Sequence, residues 1–510
     1  MSFATVSGPL PRVGVIVLAV LAAGVIVLRS DRARAAVMLG VLIIAPVLLL
    51  SDIWSSPQLQ VIHRHPAVAL AGGGLTLALL GAAARALARR RQWIAPLALI
   101  ALPFRIPISV SGTTYNLLVP LYFVVAAGAL SWLVPTLRRQ DAGRRRPAHL
   151  YEQILAGVVV LYGIQSIYSG HYGALSGFEA ALRNMTFFYA PFAVLAAVLR
   201  ELDWCPDLMR RCLIALGALA LIFSAVGFWE EATGHLLLNP RLIAANQLHP
   251  YFTVNSVFFD PDIFGRFLAL VMILGVAALI YLRSAREVLI TAGVLAVLWG
   301  CLVLTLSRSS LAALLLGMAV LAAYRWRATR LVLGAGVVVV VVGLVAIAVS
   351  PRTFGLNQGL NGVSSGRANL ISGGVRMFGD RPLGGYGSGS FEAEYARQND
   401  GCGVVCASHT AVVTVAAEQG VIGLILYAAL VISALITLFR GARGSPFRVA
   451  IAAVFLALIL HTEFYSDFLE DPVTWVLLAA GGVLAHRWAD AREAEQRSER
   501  LRRRTTTAPA

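Results

Sequence analysis

Charge is what this sequence is shortest of. Of its 510 residues only 13% are charged, against 58% hydrophobic, and its mean hydropathy is +0.77. A soluble globular chain carries about 25% charged residues, so an ordinary water-facing surface is excluded. Lipid must replace water as solvent for much of the chain. Lysine is missing altogether: all 42 basic residues are arginine, a bias that accompanies plentiful alanine, valine and glycine. No stretch alternates apolar and polar residues in the manner of barrel strands, which leaves helices as the spanning elements. Cysteine is sparse, at five residues. Cys205, Cys212 and Cys301 lie in or beside apolar stretches and read as packing residues. The first apolar run lacks a small-residue cleavage site and leads straight into a second, so no cleavable signal peptide is expected. The net charge of +16 invites a nucleic-acid reading. The arginines, however, stand in short clusters between apolar runs, which is the positive-inside pattern of a membrane protein.

The apolar runs predict an all-α, polytopic transmembrane bundle of about 12–15 spans. They extend from Val13–Leu28 to Val473–Trp488, with Trp93–Pro103 short enough to be re-entrant. Counted alternately, every arginine cluster falls on one side, from Arg29, Arg32 and Arg34 to the tail beyond Arg487. That side is cytoplasmic. The tail Ala489–Arg504 mixes glutamate and arginine and reads as a solvated charged helix. The other side receives Ser51–Pro66, Tyr168–Leu182, Trp229–Pro261 and the long stretch Pro351–Gln419, read as a small ordered cap with one or two helices. The chain thus divides into N-terminal helices (1–257), core helices (258–350), an extracytoplasmic loop (351–419), C-terminal helices (420–488) and a charged tail (489–510).

Four segments on the extracytoplasmic side carry residues suited to chemistry. Arg308, within Ser307-Arg308-Ser309-Ser310, sits at the tip of a tight helical hairpin. An intramembrane arginine is costly enough to need a partner or a task; it either snorkels to the interface or binds an anion in a cavity. The segment Ser364–Phe391 holds Arg367, Arg376, Asp380, Arg381 and the run Pro382-Leu383-Gly384-Gly385-Tyr386-Gly387. Ala368–Phe378 is expected to be helical, and on one straight helix Arg367 and Arg376, nine residues apart, face different ways. The glycines suit close backbone approach, but without a βαβ context they do not make a nucleotide loop. His409 stands at the mouth of a span, either as an interface residue or as a general base. Cys402 and Cys406, just before it, are candidates for a disulfide or for free thiols; with His409 alone they are too few for a metal site. Last, Asp260-Pro261-Asp262 precedes Ile263-Phe264-Gly265-Arg266. Asp260 either caps the helix with Pro261 at its first position, or the acidic pair orients a basic group or a sugar hydroxyl.

In order, spacing and common side, these segments resemble the O-antigen ligase and O-antigen polymerase superfamily from about Phe258 to Tyr427. The carriers are Asp260-Pro261-Asp262-x-Phe264-Gly265, the Ser-Arg-Ser hairpin, Ser365-Gly366-Arg367, Asp380 to Gly387 with Phe391, and His409 to Glu418-x-Gly420-x-x-Gly423. The N-terminal 200 residues match only as a hydropathy pattern. The resemblance implies a metal-independent, cofactor-free glycosyltransferase of the bacterial plasma membrane. Its donor would be a polyprenyl-diphosphate-linked glycan and its acceptor a glycan or another lipid. By the same resemblance Arg308 and Arg367 engage the diphosphate and His409 activates the acceptor hydroxyl. Arg376, Asp260, Asp262, Tyr386 and Glu418 are expected at the substrate. Two departures stand out: Thr410 follows the histidine, and Asp262 follows the proline, where the family commonly has asparagine. A transporter or flippase of a lipid-linked sugar or organic anion is the rival reading. It calls for charges along a path into the cytoplasmic half, whereas the candidates cluster at one interface. A non-catalytic scaffold is the third reading.

Overall fold

A computed structural model of the chain describes residues 9–54, 64–110, 113–138, 143, 145–170, 175–238, 242–243, 246, 251–326, 330, 334, 367–399, 401 and 406–506. In chain order the helices are α1 (Pro9–Val27), α2 (Asp31–Ile53), α3 (Pro66–Arg89), α4 (Ile94–Ala101), α5 (Val119–Arg138), α6 (Leu150–Gln165), α7 (Leu175–Asn184), α8 (Ala190–Arg200) and α9 (Pro206–Thr233). They continue as α10 (Pro261–Tyr281), α11 (Ala285–Leu304), α12 (Arg308–Arg325), α13 (Arg367–Asp380), α14 (Phe391–Gln398), α15 (Ala411–Phe439), α16 (Pro446–Thr462) and α17 (Pro472–Thr506). Among the described residues ten helical stretches are long and apolar enough to cross a membrane, and α6 and α16 are shorter apolar helices. The chain is therefore an all-α, multi-pass membrane protein. The predicted span Leu331–Ser350 lies outside the described residues except for residue 334.

Local chemistry sets the helix ends. Proline occupies the first turn of α9, α10 and α16, where its missing N–H has no intrahelical partner to lose. Gly234, at φ 65°, ends α9 in the left-handed conformation. Trp93–Pro103 becomes the eight-residue α4, about 12 Å long at 1.5 Å per residue, too short to span alone. It begins where Arg211 lies over the Trp93 ring and leads into a hairpin of β1 (Ile106–Val110) and β2 (Thr113–Leu117), paired antiparallel with Ile108 opposite Tyr115. α7 passes through a π-helical turn at Met185–Tyr189 into α8. The last predicted span and the charged tail form one continuous 35-residue helix, α17.

Charged side chains gather at two opposite ends of the bundle. At one end, Arg34 pairs with Asp31 and Glu201 at 3.1 and 2.8 Å, Arg200 with Glu152, Arg146 with Asp490 and Arg487 with Asp203. This is the end where the sequence concentrates its arginine clusters. At the other end, Asp52 in the last turn of α2 pairs with Arg183 at 2.7 Å, both side chains almost fully buried. Between the ends lies one apolar core running through α1, α5, α6, α8, α10, α16 and α17. A separate small core of Met377, Tyr386, Phe391, Tyr395 and Ala417 belongs to the cap.

Candidate functional site

Five pieces of chain meet at the end opposite the arginine clusters: the starts of α10 and α12, the cap helix α13, the residues leading into α15, and the segment 463–471 joining α16 to α17. Asp260 is the N-cap of α10. Its Oδ1 accepts from the N–H groups of Asp262 at 2.7 Å and Ile263 at 3.4 Å. It also takes a side-chain hydrogen bond from Tyr465, and burial together with the Asp262 charge pushes its carboxyl up to about 6. The capping reading of Asp260 is thus the one observed.

Asp262 stands one residue past Pro261 and its carboxylate faces across the site. Oδ1 accepts from the Ser307 hydroxyl at 2.6 Å and the Ser309 hydroxyl at 3.4 Å. Oδ2 lies 3.7 Å from Arg367 Nη2, both side chains partly exposed. Ser307 is the N-cap of α12, so Asp262 joins that helix start to the first residue of α13. Arg308 is exposed at the N-terminus of α12 and makes no ion pair among the described residues. A cation at the positive end of a helix dipole is unfavourable unless an anion joins it, and that end also binds anions by itself. Leu306, just before the cap, has φ 51°, which closes the hairpin.

His409 is half-buried and left-handed, at φ 57°. Such a backbone in a non-glycine residue costs about 1–3 kcal/mol and collects at functional sites. Its ring lies edge-on to Tyr465, centroids 6.4 Å apart. Burial and the Arg367 charge lower its basicity, and the Asp262 charge raises it. Arg367 and Asp262, 3.7 Å apart, thus both lie within electrostatic reach of His409. Cys406, three residues before, is disulfide-bonded; Cys402 lies outside the described residues.

The remaining expected residues serve the cap. Glu418 is buried, and its two carboxylate oxygens accept from the N–H groups of Gly389 at 2.8 Å and Phe391 at 3.1 Å. Tyr386 is buried too. Its hydroxyl accepts from Gln398 at 3.1 Å, and Arg381 lies 5.0 Å from its ring centre. Arg376 is exposed and makes no ion pair among the described residues, as its nine-residue offset from Arg367 requires. What places this cap is a break in α15. Gly420, at φ 64° and ψ −160°, interrupts the helix, which frees the carbonyls of Ala417 and Glu418. They accept from Tyr386 N at 3.0 Å and Gly387 N at 2.8 Å, and Val421 N donates back to Pro382 O at 2.7 Å. The glycine-rich run is thus a backbone cradle against a kinked helix.

Sequence reasoning passed over half of the cluster. Arg266, one turn into α10, forms two hydrogen bonds to Asp467 at 2.7 and 2.9 Å and an ion pair with Asp471 at 2.9 Å. Its guanidinium also lies 5.7 Å from the Tyr465 ring centre. His461, fully buried, has Nε2 3.3 Å from both the Ser309 and the Ser310 hydroxyls. The available signal was an arginine inside an apolar run and an acid-rich stretch, Glu463-Phe464-Tyr465-Ser466-Asp467, between two apolar runs 200 residues later; each implies the other once buried charge must be paired. Removing one partner of such a pair costs about 3–5 kcal/mol. Arg266→Ala is accordingly expected to lower the thermal unfolding midpoint of the detergent-solubilised protein sharply, an expectation that an unchanged midpoint would refute.

Fold and site together define a multi-pass membrane protein with a solvent-reached cluster of arginine, carboxylate and histidine at one end of its helices. Residues 293–428 match the family model described as O-Antigen ligase, a stretch that contains Arg308, Arg367, His409 and Gly420 and begins after Asp262. No curated protein matches the chain.

Proposed function

We propose that this protein transfers a glycan from a polyprenyl-diphosphate carrier to an acceptor hydroxyl at the extracytoplasmic face of the membrane. The observation that carries the reading is the contact of Arg367 with Asp262 at the anion-attracting start of α12, within electrostatic reach of His409. The arginine clusters at the opposite end favour an outward-facing site by the positive-inside rule. In the transfer, the bond between the anomeric carbon and the diphosphate oxygen breaks, and polyprenyl diphosphate departs with the bonding pair. Arg308 and Arg367 hold that diphosphate, since guanidinium groups give paired hydrogen bonds to phosphate oxygens. The acceptor oxygen bonds to the anomeric carbon and its proton passes to His409. Glu418, Tyr386 and Asp260 act indirectly by holding the cap and the start of α10. The family match supports a glycan-transfer role, and the outward site suits a donor that carries its own leaving group and needs no nucleotide.

The test is purified protein in lipid nanodiscs with a polyprenyl-diphosphate glycan. Release of polyprenyl diphosphate with a lengthened or transferred glycan is expected; movement of intact donor across the bilayer without cleavage would replace this reading with a flippase. The pH dependence adds a second check. His409 must be neutral to accept a proton, and in the free protein burial and Arg367 hold it below its ordinary value of 6.5. The acid limb of kcat/KM, which reports the free enzyme, is therefore expected below pH 6.5, and a limb above that value would argue against His409 as the base.

A further inference from the structure

Among the described residues, Asp262 is the one carboxylate in contact with an arginine assigned to the donor. Its Oδ2 is 3.7 Å from Arg367, while Oδ1 is fixed by Ser307 at 2.6 Å. Ser307 is in turn anchored by Ser310 at 2.7 Å, and Ser310 lies 3.3 Å from His461. One side of the carboxylate is therefore built into the helix ends. The other holds a guanidinium that enters from the cap and is about one-third exposed. A partly exposed ion pair of this kind is weak, and a diphosphate carries more charge and more acceptor oxygens than one carboxylate oxygen. Arg367 will leave the weaker anion for the stronger.

Resting on the transferase reading above, we propose that Asp262 is an exchange partner for Arg367: the donor diphosphate takes the arginine, and the carboxylate left behind makes His409 a stronger base. Asp262 is a positioning residue in this scheme, since it acts through Arg367 and His409 and does not touch the sugar. Among the described residues, the charged groups that act on His409 are Arg367 from α13 and Asp262 from α10, and its ring contact is Tyr465 from the segment before α17. Asp262 itself faces Arg367, Ser307, Ser309 and, through the serines, His461. With no donor, the Arg367 charge offsets that of Asp262 at the imidazole. With donor bound, the diphosphate neutralises Arg367 and the Asp262 charge acts alone, favouring the protonated imidazole. The base would thus gain strength only after a donor is in place.

Asp262→Asn separates this role from simple damage because it keeps shape and hydrogen bonding. Without a competing carboxylate the donor should bind more tightly, so its KM is expected to fall about two- to five-fold, the range of a partly exposed ion pair. With a weaker base in the donor complex, kcat should fall and its acid limb should move to lower pH. Asp262→Glu should restore both the limb and the KM. A raised KM with an unmoved limb would overturn the proposal. In the wild-type protein, the His409 titration followed by NMR should move to higher pH on adding polyprenyl diphosphate, and no movement would overturn it independently of any variant. Wild-type protein that releases no polyprenyl diphosphate from the donor sinks the transferase reading itself, whereas active wild type with an Asp262→Asn variant of unchanged profile sinks only the exchange.

Discussion

His409→Asn and His409→Ala are each expected to cut glycan transfer by about 10²–10⁴-fold, the usual contribution of a positioned general base, with little loss of folded protein. Asparagine is the sharper test, because it tolerates the left-handed backbone that His409 adopts at φ 57° while having no basic nitrogen. The imidazole is half-buried, its ring contact is the edge of Tyr465, and no buried network collapses when it goes. Arg367→Ala and Arg308→Ala should cost about 10²–10³-fold, as removal of a donor to developing negative charge commonly does. Arg367→Ala should also free Asp262 to act on His409 without a donor present. Release of polyprenyl diphosphate, measured beside thermal unfolding of the same preparations, decides the matter. A His409→Asn variant that turns over near the wild-type rate would remove the proposed base.

Gly420→Ala should separate the cap from the membrane helices, at about 3–5 kcal/mol, the combined scale of a glycine-only backbone conformation and an overpacked contact. At φ 64° and ψ −160° an L side chain is strained wherever it points, and here it has no room. A Cβ on Gly420 would sit 2.4 Å from the Leu383 carbonyl oxygen and 2.5 Å from its carbon, both backbone atoms. Gly385, at φ 65°, faces the same difficulty from the other side, its Cβ falling 2.3 Å from the Glu418 carbonyl. Such contacts are relieved by moving whole segments, so the cradle of hydrogen bonds from Tyr386, Gly387 and Val421 should open. Arg367 rides on that cap, so transfer should fall with it even though no reacting group was changed. Gly379→Ala is the control: it lies in α13 with nothing within 4 Å of its Cβ and should be neutral or slightly stabilising. The readouts are limited proteolysis of the cap and the transfer assay in nanodiscs. A Gly420→Ala protein as protease-resistant and active as wild type would refute the cradle.

Much of the site was readable in advance because the relevant signals are local. Asp260-Pro261 announces a helix start, Ser307-Arg308 a hairpin tip, and residues 368–378 a helix, and all three are observed. The common side of Arg367 and His409 followed from counting spans. Glu418 and Tyr386 were harder. Their types suggested contact with a ligand; in the structure both are buried, the Glu418 carboxylate accepting from Gly389 and Phe391 and the Tyr386 N–H donating to a carbonyl that the break at Gly420 frees. Arg266 and His461 stayed hidden inside apolar runs, where a single polar residue does not say which distant segment answers it.

Composition, periodicity and charge clusters determined by themselves that this chain lives in a bilayer as a helical bundle, with its candidate site residues at the end away from its arginine clusters. A bilayer admits few backbone solutions and sorts arginine by side, so one-dimensional pattern suffices for that much. Only the tertiary structure decided that Asp262 meets Arg367, that Arg266 finds Asp467 across 201 positions, and that a kinked helix carries the cap. Those pairings depend on how helices pack against one another, and packing is chosen by the summed fit of many side chains rather than by any motif.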